Sequence, residues 1–132
     1  MTTSKRKLVH IALVVNDYDE AIKFYTQKLD FDLISDEKLS ETKRWVLVKP
    51  KGQGDCAILL AKADSETQKT FVGNQTGGRV FLFLSTDNFD RDFENLKKEN
   101  IKIVRGPFDE AYGRVAVFED LYGNKWDLIE YR

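Results

Sequence analysis

Residues 9–25 and 80–96 carry one pattern written twice, and this repeat constrains the fold more than any other feature of the chain. At an offset of 71, Val9-His-Ile-Ala-Leu-Val-Val-Asn-Asp-Tyr18 lies on Val80-Phe-Leu-Phe-Leu-Ser-Thr-Asp-Asn-Phe89, and Tyr18, Ile22 and Tyr25 lie on Phe89, Phe93 and Leu96. Agreement in a strand and in the helix after it marks a repeated supersecondary unit, so the chain reads as two copies of one module. In the first copy, Leu8 to Val15 is almost continuously apolar and rich in β-branched residues, as a strand covered on both faces is. Asn16 and Asp17 stop it. Asp17 followed by Glu20 predicts a capping box, each side chain answering the other's backbone N–H. Beyond the cap, Tyr18, Ile22, Tyr25 and Leu29 recur at helical spacing, with Asp19, Lys23 and Lys28 on other faces.

Each copy then continues into three strands. In module one (residues 7–63) these are Phe31–Ile34, Arg44–Val48 and Cys56–Ala61, with the turn 49–54 between the last two. A polar connector, 64–78, holds one short helical turn around Glu66 to Phe71 and ends in Gly77-Gly78. Module two (79–132) repeats the plan with strand Arg79–Ser85, helix Asn88–Glu99 and strands Ile101–Val104, Arg114–Glu119 and Lys125–Ile129; Gly106–Gly113 reads as a loop and Gly123-Asn124 as a hairpin turn. The predicted class is α+β: one domain over residues 1–132, built of two βαβββ modules whose eight strands form a curved sheet with a central trough. Strand alternation puts Ile11 and Leu13 beneath the helix and His10, Ala12 and Val14 in the trough; the repeat adds Phe81, Phe83 and Ser85. The modules can pair within the chain or between two subunits, since the connector is long enough for either.

Composition excludes several classes of function. Lys and Arg number 21 against 22 Asp and Glu, with both signs mixed along 132 residues, so there is neither the basic stripe of a nucleic-acid binder nor a charged tail. Cys56 is the one cysteine, which rules out an intrachain disulfide and a thiolate metal cluster, and it reads as a small buried hydrophobe in the strand DCAILLA. The N-terminal MTTSKRK is basic, but the apolar run after it is short and broken by His10; it is read as neither a secretion signal nor a membrane span, and a cytoplasmic protein is expected.

Three segments carry a family resemblance: Val9-His-Ile-Ala-Leu-Val-Val-Asn-Asp17 with Phe24-Tyr25, the loop Tyr112-Gly113-Arg114, and Asp120-Leu-Tyr-Gly-Asn-Lys-Trp-Asp-Leu128. Over residues 7–131 the chain resembles the vicinal-oxygen-chelate superfamily, which groups glyoxalase I, bleomycin and fosfomycin resistance proteins and extradiol dioxygenases. The resemblance implies a site inside the trough and, in metal-dependent members, a divalent ion held by the first and fourth strands of each module. Those four positions are His10, Leu59, Phe81 and Asp127 here, and two of them are apolar. Catalytic zinc sites usually have three protein ligands. Two readings of His10 and Asp127 therefore stand. In one they are catalytic and hold Ni, Zn, Mn or Fe, with the substrate's oxygens completing the shell. In the other no metal is bound, and His10 is a trough histidine hydrogen-bonded to a neighbour, Asp127 among the candidates. A metal-free His–Asp general base is a third, with no oxyanion hole or nucleophile motif beside it.

The remaining candidates concern ligand contact. Arg44 and Trp45 offer a cation and an aromatic wall. Tyr112 and Arg114 lie where the family often meets its ligand, and Trp126 falls on the face opposite Asp127, in the helix-packing core. Phe81 and Phe83 make the trough apolar and favour an aromatic or apolar ligand. Two functions follow: a glyoxalase-like lyase, isomerase or dioxygenase using a divalent metal, or a metal-free protein that sequesters a small molecule, as bleomycin-resistance proteins do. Family habit implies a homodimer.

Overall fold

The computed structural model describes residues 4–132; the first three residues of the basic N-terminal segment lie outside it. Strand β1 (His10–Val15) leads into helix α1 (Tyr18–Lys23), which continues as a π-helical turn, Phe24–Lys28. Three strands complete module one: β2 (Asp32–Lys38), β3 (Arg44–Lys49) and β4 (Ala57–Lys62). The connector carries α2 (Glu66–Phe71), capped by Ser65. Module two is β5 (Val80–Ser85), α3 (Phe89–Lys98), β6 (Ile103–Glu110), β7 (Gly113–Glu119) and β8 (Lys125–Tyr131). The sheet orders are β1-β4-β3-β2 and β5-β8-β7-β6, with β1 parallel to β4 and β5 parallel to β8, so the repeat seen in sequence is also a repeat of topology.

The α+β class and the two βαβββ modules are as expected. Two strands run more than two residues past their expected ends: β2 continues to Lys38, and β6 runs through Gly106 and Pro107, where those residues predict a loop. β6 is an edge strand, and its ladder to β7 is irregular between Arg105 and Phe108. Gly106 has φ +92°, and a Cβ there would come within 2.8 Å of the Val115 carbonyl oxygen. A bulged edge tolerates both residues, and the turn shrinks to Ala111-Tyr112.

The caps are built as the Asx residues predict, with one substitution of partner. Asp17 Oδ2 accepts the Glu20 N–H at 2.9 Å, and Asn88 does the same for Arg91 at the equivalent place in module two. The second half of the expected capping box is replaced. Glu20 instead accepts a hydrogen bond from the Tyr122 hydroxyl at 2.6 Å, and that hydroxyl lies 3.4 Å from the Asp17 amide. Burial, followed by the bond to Glu20, raises the Tyr122 pKa above that of a free phenol.

The strands form two four-stranded sheets with no ladder from β1 to β5, so the trough does not close within the chain. An in-chain trough would carry the two helix-covered sides outward, separated by both sheets. Instead these sides share one core, in which Tyr25 and Phe31 of module one pack on Trp126 of module two and Phe118 stacks on Trp126. Tyr25 is fully buried and donates to Asp120 at 2.6 Å, while Trp126 Nε1 donates to the Tyr25 hydroxyl at 3.2 Å. Burial, with the Asp120 carboxylate next in effect, pushes that phenol well above its usual range. Asp120 also accepts from the Tyr122 and Asn124 amides and the Asn124 side chain, so the β7–β8 turn is ordered around a carboxylate used by both modules.

The free edge of β1 has its own arrangement. Gln75 of the connector accepts from the Val14 N–H at 2.9 Å and donates to the Ala12 carbonyl at 2.7 Å. One carboxamide thus supplies the donor and acceptor that a neighbouring strand would bring, blunting an exposed edge.

Candidate functional site

With the helix-covered sides in the shared core, the opposite face of each sheet is the one left open. On sheet one, Leu13 and Val15 point into the core and His10 and Ala12 are exposed, as alternation predicts. The His10 ring meets Trp45 edge-on, centroids 5.9 Å apart, and Trp45 is 36% exposed. Leu59 lies in register with Ala12 on β1 and Leu47 on β3, so the middle of this face is aliphatic.

On sheet two the register aligns Phe83 with Asp127, Asp127 with Val117, and Val117 with Arg105. These four form one row across the open face: aromatic, carboxylate, aliphatic, guanidinium. Phe83 is 65% exposed and Val117 is buried. Asp127 Oδ1 is buried with no hydrogen-bond partner among the described residues. Burial raises the carboxyl's pKa, and Arg105 acts in the opposite sense. Phe81 departs from the expected alternation: β5 is irregular between Val80 and Leu82, and Phe81 is partly buried against the core. Of the two trough phenylalanines, Phe83 is the one left exposed.

Other expected contacts are placed elsewhere. Arg44 lies on the face opposite Trp45, where Nε and Nη2 bind Asp36 at 3.1 and 2.7 Å, Nη1 binds Asp19 at 2.9 Å, and the guanidinium sits 5.1 Å from the Tyr18 ring centre. Arg114 alternates likewise to the α3 side, 5.2 Å from the Phe89 ring centre. In both cases one step along a strand turns the side chain to the other face. Tyr112 occupies the exposed β6–β7 turn. Cys56 is half-buried, one residue before β4.

The residues do not fit a divalent metal within the chain. His10 and Asp127 stand on different sheets with no hydrogen bond between them, Leu59 and Phe81 offer no lone pair, and among the described residues no group of three or more His, Cys, Asp or Glu side chains can hold an ion. A further cleft of about 1110 Å³ separates the modules on the helix side, floored by Phe31, Leu96 and Phe118. Two of its three basic residues are ion-paired, Lys51 with Asp30 and Asp32 and Arg91 with Asp87 and Asp92, and Lys49 donates to the Pro50 and Gly52 carbonyls.

Sequence reasoning missed four residues of consequence. Tyr25 reads simply as a stripe residue and Asp120 as a turn former; only the packing of modules joins them. Gln75 sits in a polar connector with no periodicity. Arg105 falls one residue beyond the expected strand Ile101–Val104, and the alternating run before it was the signal that could have been extended.

The comparisons with known proteins agree with this architecture. The family model of the Glyoxalase/Bleomycin resistance protein/Dioxygenase superfamily matches residues 7–128. An uncharacterized protein of Shewanella frigidimarina is 58% identical over 127 residues, 96% of this chain and 94% of that one. Among solved structures, UcmS2 superimposes with a TM-score of 0.83 at 30% identity, covering 96% of this chain and 98% of its own. TnmS3, an antibiotic binding protein from Streptomyces sp. CB03234, gives 0.80 at 27% identity over 99% and 100%. Repeat, topology and family match lead to one conclusion: the chain belongs to the Glyoxalase/Bleomycin resistance protein/Dioxygenase superfamily.

Proposed function

We propose that this protein binds an apolar or aromatic small molecule without a metal, in a trough completed between two copies. The observation that carries the reading is the exposed Phe83 and Trp45, together with metal-slot positions filled by the aliphatic Leu59 and by Phe81, which packs toward the core. An aromatic surface held open by a rigid sheet gives binding area at little entropic cost. The likeness to TnmS3, described as an antibiotic binding protein, supports the same reading. Because the helix-covered sides are joined in one core, the His10 face of one chain is free to oppose the Phe83 face of another. In that dimer His10, Trp45, Phe83 and Asp127 line one enclosure, with Tyr112 at its rim.

Titration with a fused-ring aromatic such as 2-naphthol tests this. Saturable quenching is expected from Trp45 and not from the buried Trp126, so Trp45→Phe abolishes the signal. Phe83→Ala is expected to weaken binding by about tenfold, the loss of roughly one buried ring's contribution. Added Ni, Zn, Mn or Fe leaves the affinity unchanged, and sedimentation gives a dimer. Binding that requires one of these ions, or a monomer that binds equally well, would reject the proposal.

A further inference from the structure

The row on sheet two holds two polar groups that the fold leaves without a partner. Asp127 Oδ1 is buried and unbonded. The exposed Arg105 guanidinium makes no hydrogen bond or ion pair among the described residues, although three of the other four arginines of module two are tied to an aspartate. Register sets the two residues two strands apart, about 10 Å at the backbone, with Val117 between them and Phe83 on the far side of Asp127. No hydrogen bond or ion pair joins them across Val117. A buried acceptor left unbonded is costly, and its persistence calls for a reason.

We propose that Asp127 and Arg105 are the specificity-determining pair of the trough, selecting a planar aromatic ligand with a hydroxyl or N–H donor at one end and an anionic oxygen at the other. The proposal rests on the aromatic-binding function given above. In it, the ligand's plane lies over Val117, with an edge against Phe83. Its donor bonds to Asp127 Oδ1 and its anionic oxygen meets the Arg105 fork. Val117, buried between them, supplies an apolar floor. The donor end repairs the deficit at Asp127 Oδ1 and the anionic end gains a charge-assisted bond to the solvent-facing Arg105, so a molecule lacking either end loses that contact.

Three probes of one ring system separate the parts: 6-hydroxy-2-naphthoate carries both ends, 2-naphthoate lacks the donor and 2-naphthol lacks the acid. Isothermal titration with the full chain is expected to give the tightest binding for the first, by about tenfold over each of the others, as a charge-assisted hydrogen bond implies. Arg105→Gln should abolish the advantage over 2-naphthol and preserve that over 2-naphthoate. Asp127→Leu should do the reverse, and its melting temperature without ligand should equal or exceed that of the parent, because a buried, unbonded carboxyl oxygen is removed. If all three probes bind equally, or the two variants leave the ranking unchanged, the pair does not select and this inference falls while aromatic binding stands. If no probe binds the parent chain, the aromatic-binding function itself fails.

Discussion

Asp120→Ala is expected to cost about 3–5 kcal/mol of folding stability, the range for breaking a buried charged network by deleting one member. Four donors lose their acceptor: the Tyr25 hydroxyl, the Tyr122 and Asn124 amides and the Asn124 side chain. The Tyr25 hydroxyl is fully enclosed, so water cannot replace the lost bond. At the rough scale for a domain of this size, the melting temperature should fall by about 10 °C or more. Tyr25→Phe is the milder companion, expected at about 2 kcal/mol, since it strips one donor from Asp120 and the acceptor from Trp126 Nε1. Urea unfolding followed through Trp126 measures both; a midpoint unmoved in Asp120→Ala would show that the carboxylate is not what binds the modules together.

Gly73→Ala should be the second large effect, about 3 kcal/mol, combining a disfavoured backbone with a backbone collision. Gly73 has φ +77°, and a Cβ there would sit 1.9 Å from the Tyr122 carbonyl oxygen and 2.8 Å from its carbon. Neither atom can rotate out of the way. The turn must move, and with it the Tyr122 hydroxyl that holds Glu20 at the start of α1. Gly77→Ala is the control, because φ is similarly positive at +70° but the Cβ meets nothing within 4 Å. That variant should lose only about 1–2 kcal/mol. Equal losses in the two, measured by thermal denaturation, would remove the collision from the account.

Much of the fold could be read in advance because the two modules repeat a pattern that depends on nearest neighbours. The strand periods, the Asx caps at Asp17 and Asn88 and the apolar helix stripe are local, and local physics decides them. Alternation likewise placed His10 and Ala12 on the open face and Trp126 in the core. Two kinds of information were not local. Bulges shifted Phe81 and prolonged β6, since an edge strand accepts a Gly-Pro pair that would end an inner one. The partnership of Tyr25 with Asp120, 95 positions apart, exists only once the helix-covered sides meet. Arg44 and Trp45 show the limit most simply. Adjacent in sequence, they read as one composite binding surface, yet adjacency in a strand is what sends them to opposite sides.

The shared core has a consequence for how such a protein changes over time. In the proposed dimer, the His10 and Phe83 surfaces of one chain never serve the same ligand molecule, because each completes a trough with the partner's counterpart. Duplication of the gene would let the copies co-assemble into a heterodimer with two unlike enclosures, so that a new ligand could be accommodated in one while the ancestral one is retained in the other.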